Sequence, residues 1–165
     1  MYDKIMVPLD GSRFSNRALE YAIDLAPRYG ASLLLAQVVE PVNILPPVDP
    51  SGMSVPTAAE ITVEESIRID HLNIARAKRY LSGKVHDLRE KGIAAEYIVL
   101  EGHPADEILK AGKKAKVDLI VMATHGRTGL RRVFMGSVAD KVIRESGDPV
   151  LVVRPKQRRK KKSGK

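Results

Sequence analysis

The stretch "DLIVMATHGRTGLRRVFMGSVADKVIRESGDPVLVVR" (118–154) decides the fold of this chain. Residues 118–124 form a short apolar run, as expected of a parallel strand that is covered on both faces. A segment rich in glycine and arginine follows, and a helical pattern then runs from Ser137 to Gly147. The β-branched run at 149–154 closes the unit. The stretch predicts a strand, a loop, a helix and a further strand, in that order.

The same alternation extends back to the first residues of the chain. Further apolar, β-branched runs occur at 4–9, 32–39 and 94–101, and helical patterns separate all five runs. Such alternation predicts an α/β fold, an open five-stranded parallel sheet with helices on both faces. The helical patterns cover 15–30, where Ser15 is the expected N-cap and Gly30 the expected end, then 58–92, where Ile67, Ala77 and Leu81 share the apolar stripe, and 104–116.

Composition excludes several classes of protein. The chain has no cysteine, which excludes disulfides, cysteine-ligated zinc and thiol catalysis. The N-terminal sequence lacks the pattern of a signal peptide, and no run approaches the roughly 20 apolar residues of a membrane span. We therefore expect a soluble, cytoplasmic protein.

The net charge of +8 is concentrated at the C-terminus. Seven of the last ten residues, 156–165, are Lys or Arg, and without them the chain has 21 basic and 20 acidic residues. A run of this kind is a disordered, solubilising tail, or one that binds nucleic acid or an acidic membrane surface without sequence specificity. Residues 40–60, with five prolines and no periodicity, predict a long mobile loop.

Two strand ends have distinctive chemistry. In open parallel sheets, ligands bind beyond the carboxyl ends of the strands, where the strand order reverses. Asp10 follows the first strand, where its carboxylate can accept hydrogen bonds from a ribose hydroxyl or an exocyclic amine, or help to hold a metal. Alternatively, Asp10 or Ser12 only shapes the turn and the start of the helix.

The fourth strand leads into Gly126, Gly129 and Gly136, and Ser137 then begins a helix. Glycines let the backbone approach a ligand, and a helix N-terminus offers N–H groups and a partial positive charge to a phosphate. The alternative is a flexible crossover with a helix cap. The spacing matches neither a Walker A loop nor a dinucleotide fingerprint.

The segments "KIMVPLDGSRFSNRALEYAIDLA", "EGHPADEILKAGKKAKVDLIVMATHGR" and 118–155 together resemble the universal stress protein family over about residues 1–155. Nucleotide-binding members of that family have a G-x2-G-x9-G-Ser/Thr motif. Here its first glycine is replaced by Ala123, while Gly126, nine further residues and Gly136-Ser137 match. The replacement is tolerated if Ala123 has ordinary strand dihedrals and strained if the position needs a positive φ.

The resemblance implies a Rossmann-like fold, similar to that of the adenine nucleotide alpha hydrolases, with ATP and Mg²⁺ between the first and fourth strands. It places one group of residues by the adenosine, another along the ribose and phosphates, and a third at the phosphate-binding helix start. Arg127 is a charge partner by its position, or alternatively an arginine that is only solvated. These groups are Pro8, Leu9, Asp10 and Val38; Met122, Ala123, His125 and Gly126; and Gly136, Ser137, Val138 and Ala139.

The resulting hypothesis is an ATP-binding regulatory homodimer that pairs through its last strand, 150–154, and hydrolyses ATP slowly at most. No residue is placed by sequence as a general base for water. Two alternatives stay open at this point. One is polyanion binding through the basic tail, and the other is a nucleotide-free member in which Ala123 closes the site.

Overall fold

The computed structural model describes residues 2–42, 62–124 and 136–154. Within these ranges the chain alternates between strands and helices, as the apolar runs predict. The elements are β1 (Lys4–Pro8), α1 (Arg13–Tyr29), β2 (Ser32–Val39), α2 (Val63–Glu90), β3 (Ala95–Glu101), α3 (Pro104–Ala115), β4 (Leu119–Ala123), α4 (Ser137–Glu145) and β5 (Val150–Val153).

The five strands form one sheet in the order β3-β2-β1-β4-β5. Every neighbouring pair is parallel, so the predicted five-stranded parallel sheet of Rossmann-like α/β type is confirmed. From β1 the chain moves outward through β2 to β3, then returns to β4 on the other side of β1. The strand order therefore reverses between β1 and β4, where a crevice is expected at the carboxyl ends.

Helices cover both faces of the sheet. Ile5 and Val7 of β1 point to the face covered by α1 and α2, whereas Met6 points to the face covered by α3 and α4. All three side chains are fully buried. Burial of successive residues on opposite faces explains why the central strands are continuously apolar rather than alternating.

The prediction that Ser15 caps α1 is wrong by one turn. Ser12 is the N-cap, with φ −75° and ψ 162°, and its hydroxyl accepts a hydrogen bond from the N–H of Ser15. Ser15 is buried inside the first turn. The predicted end is confirmed, because Gly30 adopts the left-handed conformation with φ 70°.

The predicted apolar stripe of α2 is buried only in the C-terminal half of the helix. Ala77 and Leu81 lie in the core, whereas Ile67 is 50% exposed. The 28 residues of α2 span about 42 Å, and the seven residues of β3 span about 23 Å. The helix is therefore too long for the sheet to cover its whole apolar stripe.

Several expectations lie outside the described residues: most of the loop at 40–60, the basic tail at 156–165, and the site residues His125, Gly126 and Arg127. Among the helices in the ranges that are described, none is long and apolar enough to cross a membrane.

Candidate functional site

The end of β1 is a tight turn built around Asp10. The N–H of Leu9 donates to the carbonyl of Ala36 at 2.7 Å, which extends the pairing of β1 with β2 by one residue. Gly11 then takes a positive φ of 80°, which lets the chain reverse without a side-chain clash. Leu9 is buried, while Pro8 and Asp10 are half-buried at the carboxyl end of β1.

The carboxylate of Asp10 is held by the start of α1. Its Oδ1 accepts the N–H of Ser12 at 2.9 Å, while the N–H of Asp10 donates to Ser15 Oγ at 3.3 Å. Burial alone would raise the pKa of Asp10, but hydrogen bonds from Ser15 and Ser12 bring it below the usual value. Asp10 therefore shapes the turn and the start of α1, as one of the two alternatives predicts. Its contact with a ligand stays a prediction.

The backbone conformation of Ala123, at the end of β4, shows whether its replacement of a motif glycine causes strain. Among the described residues other than glycine, only Lys116 has a positive φ, so Ala123 has the ordinary conformation of its strand. Its methyl group packs against the buried cluster under α1, while Met122 is buried on the opposite face. Replacement of the first motif glycine by Ala123 therefore introduces no backbone strain.

The chain leaves β4 and enters α4 at the same point. Buried Thr124 donates its N–H to the carbonyl of Val153 at 3.2 Å and accepts the N–H of Gly136 at 2.8 Å. This second hydrogen bond joins the two halves of the motif, although the residues between them lie outside the described ranges. The start of α4 is therefore fixed directly at the carboxyl end of β4.

The N-terminus of α4 has no side-chain cap. Gly136 is the N-cap with φ −62° and ψ 147°, and its carbonyl accepts the first helical hydrogen bond from Asp140 at 2.9 Å. The N–H groups that precede Asp140 have no acceptor among the described residues. They belong to the exposed Ser137, the half-buried Val138 and the buried Ala139. Together with the helix dipole, they form an electropositive end suited to an anion.

An ion pair attaches α4 to α3. Lys141 Nζ lies 2.7 Å from Asp106 Oδ1, and this hydrogen bond lowers the pKa of the Asp106 carboxyl. The exposed carboxylate of Asp140 pairs with Arg144, one turn further along the same helix. These contacts help to orient the first turn of α4 relative to the sheet.

The end of β2 contributes backbone groups. The backbone carbonyl of Ala36 bonds to β1. Backbone groups of successive residues in a strand point to opposite neighbouring strands, so the N–H and C=O of Val38 also point to the β1 side. They lie beyond Leu9, where β1 has already turned away. The side chain of Val38 packs against the cluster on the α3 face. The backbone N–H and C=O of Val38 therefore face the space beyond the end of β1, and a contact with a ligand there stays a prediction.

The sequence interpretation missed Gln37, the one polar side chain at the C-terminal end of β2. Its Oε1 is buried and has no hydrogen-bond partner among the described residues. The signal was present, because Gln37 interrupts an otherwise apolar run after Ala36. A buried acceptor without a donor is costly, so Gln37 offers an oxygen beside Val38 that can accept a further hydrogen bond.

The described residues form no cluster of three or more His, Asp or Glu side chains that could hold a metal ion. His86 of α2 lies 3.4 Å from Glu90 on an exposed surface. A divalent cation that accompanies a triphosphate is bound largely by phosphate oxygens and water, so such a cation does not require a protein cage.

The fold and the reversal of strand order between β1 and β4 define a Rossmann-like α/β protein. The model of the universal stress protein family matches residues 1–154, and the chain belongs to that family. Universal stress protein MJ0531 of Methanocaldococcus jannaschii is 36% identical over 156 residues, which cover 93% of this chain and 83% of that protein.

Solved structures show the same architecture. Protein MJ0577 of the same organism superposes with a TM-score of 0.77 at 29% identity, covering 95% of this chain and 99% of that structure. A universal stress protein solved in complex with cAMP superposes with a TM-score of 0.59 at 25% identity, covering 92% and 97% of the two chains.

Proposed function

We propose that this chain binds an adenine nucleotide, ATP with Mg²⁺, in the crevice between β1 and β4, and that it acts as a regulatory protein rather than as an efficient enzyme. The observation that carries the proposal is the uncapped start of α4. The backbone N–H groups of Ser137, Val138 and Ala139 lack acceptors among the described residues. They begin at the point where Thr124 receives the hydrogen bond from Gly136.

The residues around this point suit the parts of an adenine nucleotide. Phosphate oxygens accept hydrogen bonds from the start of α4 and from the hydroxyl of Ser137. Asp10 accepts from a ribose hydroxyl, and the backbone of Val38 pairs with the edge of the adenine. His125, Gly126 and Arg127 complete the proposed set but lie outside the described residues. The related protein solved with cAMP supports this ligand class.

Slow turnover follows from the chemistry available. ATP hydrolysis requires a positioned water molecule and stabilisation of the charge that develops on the transferred phosphoryl group. Asp10 is engaged in the turn through Ser12 and Ser15, so we do not assign it as a general base. Nucleotide binding is therefore proposed to act as a regulatory state that a partner protein recognises, with at most weak ATPase activity. A cytoplasmic location is part of the same proposal.

The nucleotide-free alternative assumes that Ala123 closes the site, and backbone strain at this residue would favour it. Because Ala123 has ordinary strand dihedrals and directs its methyl group toward the α1 face, this objection to nucleotide binding loses its physical basis.

We also propose that the chain forms a homodimer through β5. This strand is at the edge of the sheet and consists of Val and Leu alone. The carbonyls of Pro149 and Val153 bond to β4, so the backbone groups of Val150 and Val152 face the open edge. At the opposite edge, β3 has the exposed charges Glu96 and Glu101, which discourage strand pairing. Sedimentation of the full chain tests for a dimer.

The first experiment on nucleotide binding asks whether protein denatured directly after purification releases adenine nucleotide, with ATP titrations on the emptied protein. The variant Gly136→Val adds a branched side chain at the start of α4. At φ −62° any residue is accommodated, so we expect a folded protein whose ATP affinity falls roughly 10- to 100-fold.

Gly147→Val is the matched control. Gly147 follows the other end of α4, and a Cβ at this position meets no atom within 4 Å, so ATP affinity should stay at the wild-type value. If wild type binds ATP and Gly136→Val binds equally well, the phosphates do not lie at the start of α4. If neither protein binds, the proposed function is wrong.

Polyanion binding by the tail at 156–165 is a second proposal, supported by its seven basic residues. A chain ending at Pro155 should retain nucleotide and lose any salt-sensitive binding to nucleic acid. Equal nucleic-acid binding by both chains would assign that activity elsewhere.

A further inference from the structure

A series of hydrogen bonds connects α2 with the turn that carries Asp10. The hydroxyl of Tyr80, on α2, donates to Oδ1 of Asn16 at 2.9 Å. Nδ2 of Asn16, on α1, donates to the backbone carbonyl of Ser12 at 2.9 Å. Tyr80 and Asn16 are 64 residues apart in the sequence, so tertiary packing alone brings them together.

Ser12 is the link between Asn16 and Asp10. Its N–H donates to Asp10 Oδ1, and its Oγ accepts the N–H of Ser15. Ser15 Oγ lies between the two residues, since it donates to the Ser12 carbonyl at 3.1 Å and accepts the N–H of Asp10 at 3.3 Å. A displacement of Ser12 would therefore move the carboxylate of Asp10 as well.

The two ends of the Asn16 amide are distinguished by their partners. The Ser12 carbonyl is only an acceptor, so it requires the NH₂ group and leaves Oδ1 for a donor. The hydroxyl of Tyr80 is that donor. Without it, the amide keeps only the bond from Nδ2 to the Ser12 carbonyl among the described residues, and its orientation is less firmly fixed.

The surroundings of Tyr80 keep it in the donor form. Its ring is half-buried and packs against the core cluster shared by α1 and α2. Burial raises the pKa of Tyr80, and the negative charge of Asp10 raises it further, against the opposing effect of the hydrogen bond to Asn16. The hydroxyl therefore carries its proton at neutral pH, and the charge of Asp10 is close enough to act on it.

We propose that Tyr80 is a positioning residue for nucleotide binding: acting through Asn16 and Ser12, it holds the Asp10 carboxylate in the orientation that the ligand requires. This inference rests on the proposed function, because it assigns Asp10 to the nucleotide site. It places a determinant of affinity on α2, a helix that contributes no residue to the proposed set of ligand contacts.

The test uses the full chain with Tyr80→Phe, which removes the hydroxyl and keeps the ring. ATP affinity should fall about three- to tenfold, as expected for loss of one hydrogen bond that orders a binding group. The carboxyl pKa of Asp10, followed by ¹³C NMR, should rise because the Ser12 N–H no longer holds the ionised form as firmly.

Two further variants make the result specific. Asn16→Ala breaks the connection in its middle and should reproduce both effects, and the double variant should be no worse than either single one, since both act through the same link. Tyr21→Phe removes a hydroxyl from an exposed position of α1 and should leave both the affinity and the pKa of Asp10 unchanged.

The outcomes separate the inference from the function it rests on. If wild type binds ATP and Tyr80→Phe binds equally well, the positioning role is wrong and the proposed function stands. A loss of affinity with no change in the pKa of Asp10 also overturns the role, because Tyr80 would then act by another route. If the wild-type chain does not bind ATP, both proposals are overturned.

Discussion

Two helices, α1 and α4, begin at the carboxyl end of the sheet, and their N-termini differ in how the first N–H groups are satisfied. The start of α1 is closed by side chains of its own chain, because Ser12 caps Ser15 and the Asp10 carboxylate accepts the N–H of Ser12. The start of α4 has Gly136 as N-cap and no side-chain hydrogen bond.

The difference shows that, at one end of the sheet, one helix start contributes to stability while the other is left available for a ligand. A capped helix start has already satisfied its donors and gains little from an anion, whereas an uncapped one retains donors for a ligand. Helix dipoles alone do not distinguish α1 from α4. The residue that precedes each helix does, and it is a serine in one case and a glycine in the other.

The variant with the largest expected effect is Gly136→Asp, which gives α4 a side-chain cap of its own. The extended backbone of Gly136 suits an aspartate N-cap. Its carboxylate would take the helix N–H groups and repel phosphate, so ATP affinity should fall roughly 10- to 100-fold. The free energy of unfolding should stay within a few tenths of a kcal/mol of the wild-type value or rise.

Gly136→Asn separates capping from charge, since it offers a similar cap without the negative charge. It should weaken ATP binding less than Gly136→Asp does, as measured by calorimetric titration. Binding by Gly136→Asp at wild-type affinity would remove α4 from the phosphate site, whatever its N–H groups do in the free protein.

The second test removes the cap that α1 already has. Ser12→Ala deprives the Ser15 N–H of its acceptor and should lower the free energy of unfolding by about 1 kcal/mol. In a chain of this size, that change lowers Tm by about 2–4 °C. Urea denaturation and thermal melts measure both quantities.

Ser137→Ala is the corresponding change at α4. The Ser137 hydroxyl makes no hydrogen bond with the described residues, so the free energy of unfolding should change by less than about 0.5 kcal/mol. ATP binding should weaken instead, through loss of one donor. Equal losses of stability in Ser12→Ala and Ser137→Ala would contradict the distinction between the two helix starts.

Much of the fold was predictable because it depends on local burial. Residues such as Ile5, Met6 and Val7 face both sides of the sheet in succession, and a continuous apolar run states this directly. The same reasoning failed at Ile67, since periodicity identifies a face of α2 but not how far the sheet extends beneath it. Strand order also depends on contacts that no local pattern encodes.

The candidate site was predictable only in part, for a related reason. Asp10 and Gly136 were identified from their positions at strand and helix ends, together with the family resemblance. The sequence pattern predicts Ser15 as the cap and gives Ser12 only as an alternative that shapes the helix start. The turn that Asp10 makes with Ser12 places the cap at Ser12. The bond between Tyr80 and Asn16 joins distant parts of the sequence, and single-sequence patterns carry no signal for it.

The smallest expected effect is that of the ionised Asp10 carboxylate on the free energy of unfolding, and it depends on pH. The pKa of Asp10 is lowered in the folded chain, because hydrogen bonds from Ser15 and Ser12 outweigh burial. A lowered pKa stabilises the fold fully above the unfolded pKa, and this contribution is lost as the pH falls through the folded pKa.

Asp10→Asn removes that titration while keeping an oxygen acceptor for the Ser12 N–H. The gap in free energy of unfolding between wild type and Asp10→Asn should therefore be largest near neutral pH and shrink steadily below the usual carboxyl pKa of 3.8. Urea denaturation of both proteins between pH 7 and pH 3 measures the gap. A gap that is constant or widens on acidification would mean that the ionised carboxylate does not stabilise the α1 turn, and the contrast with α4 would then rest on Ser12 alone.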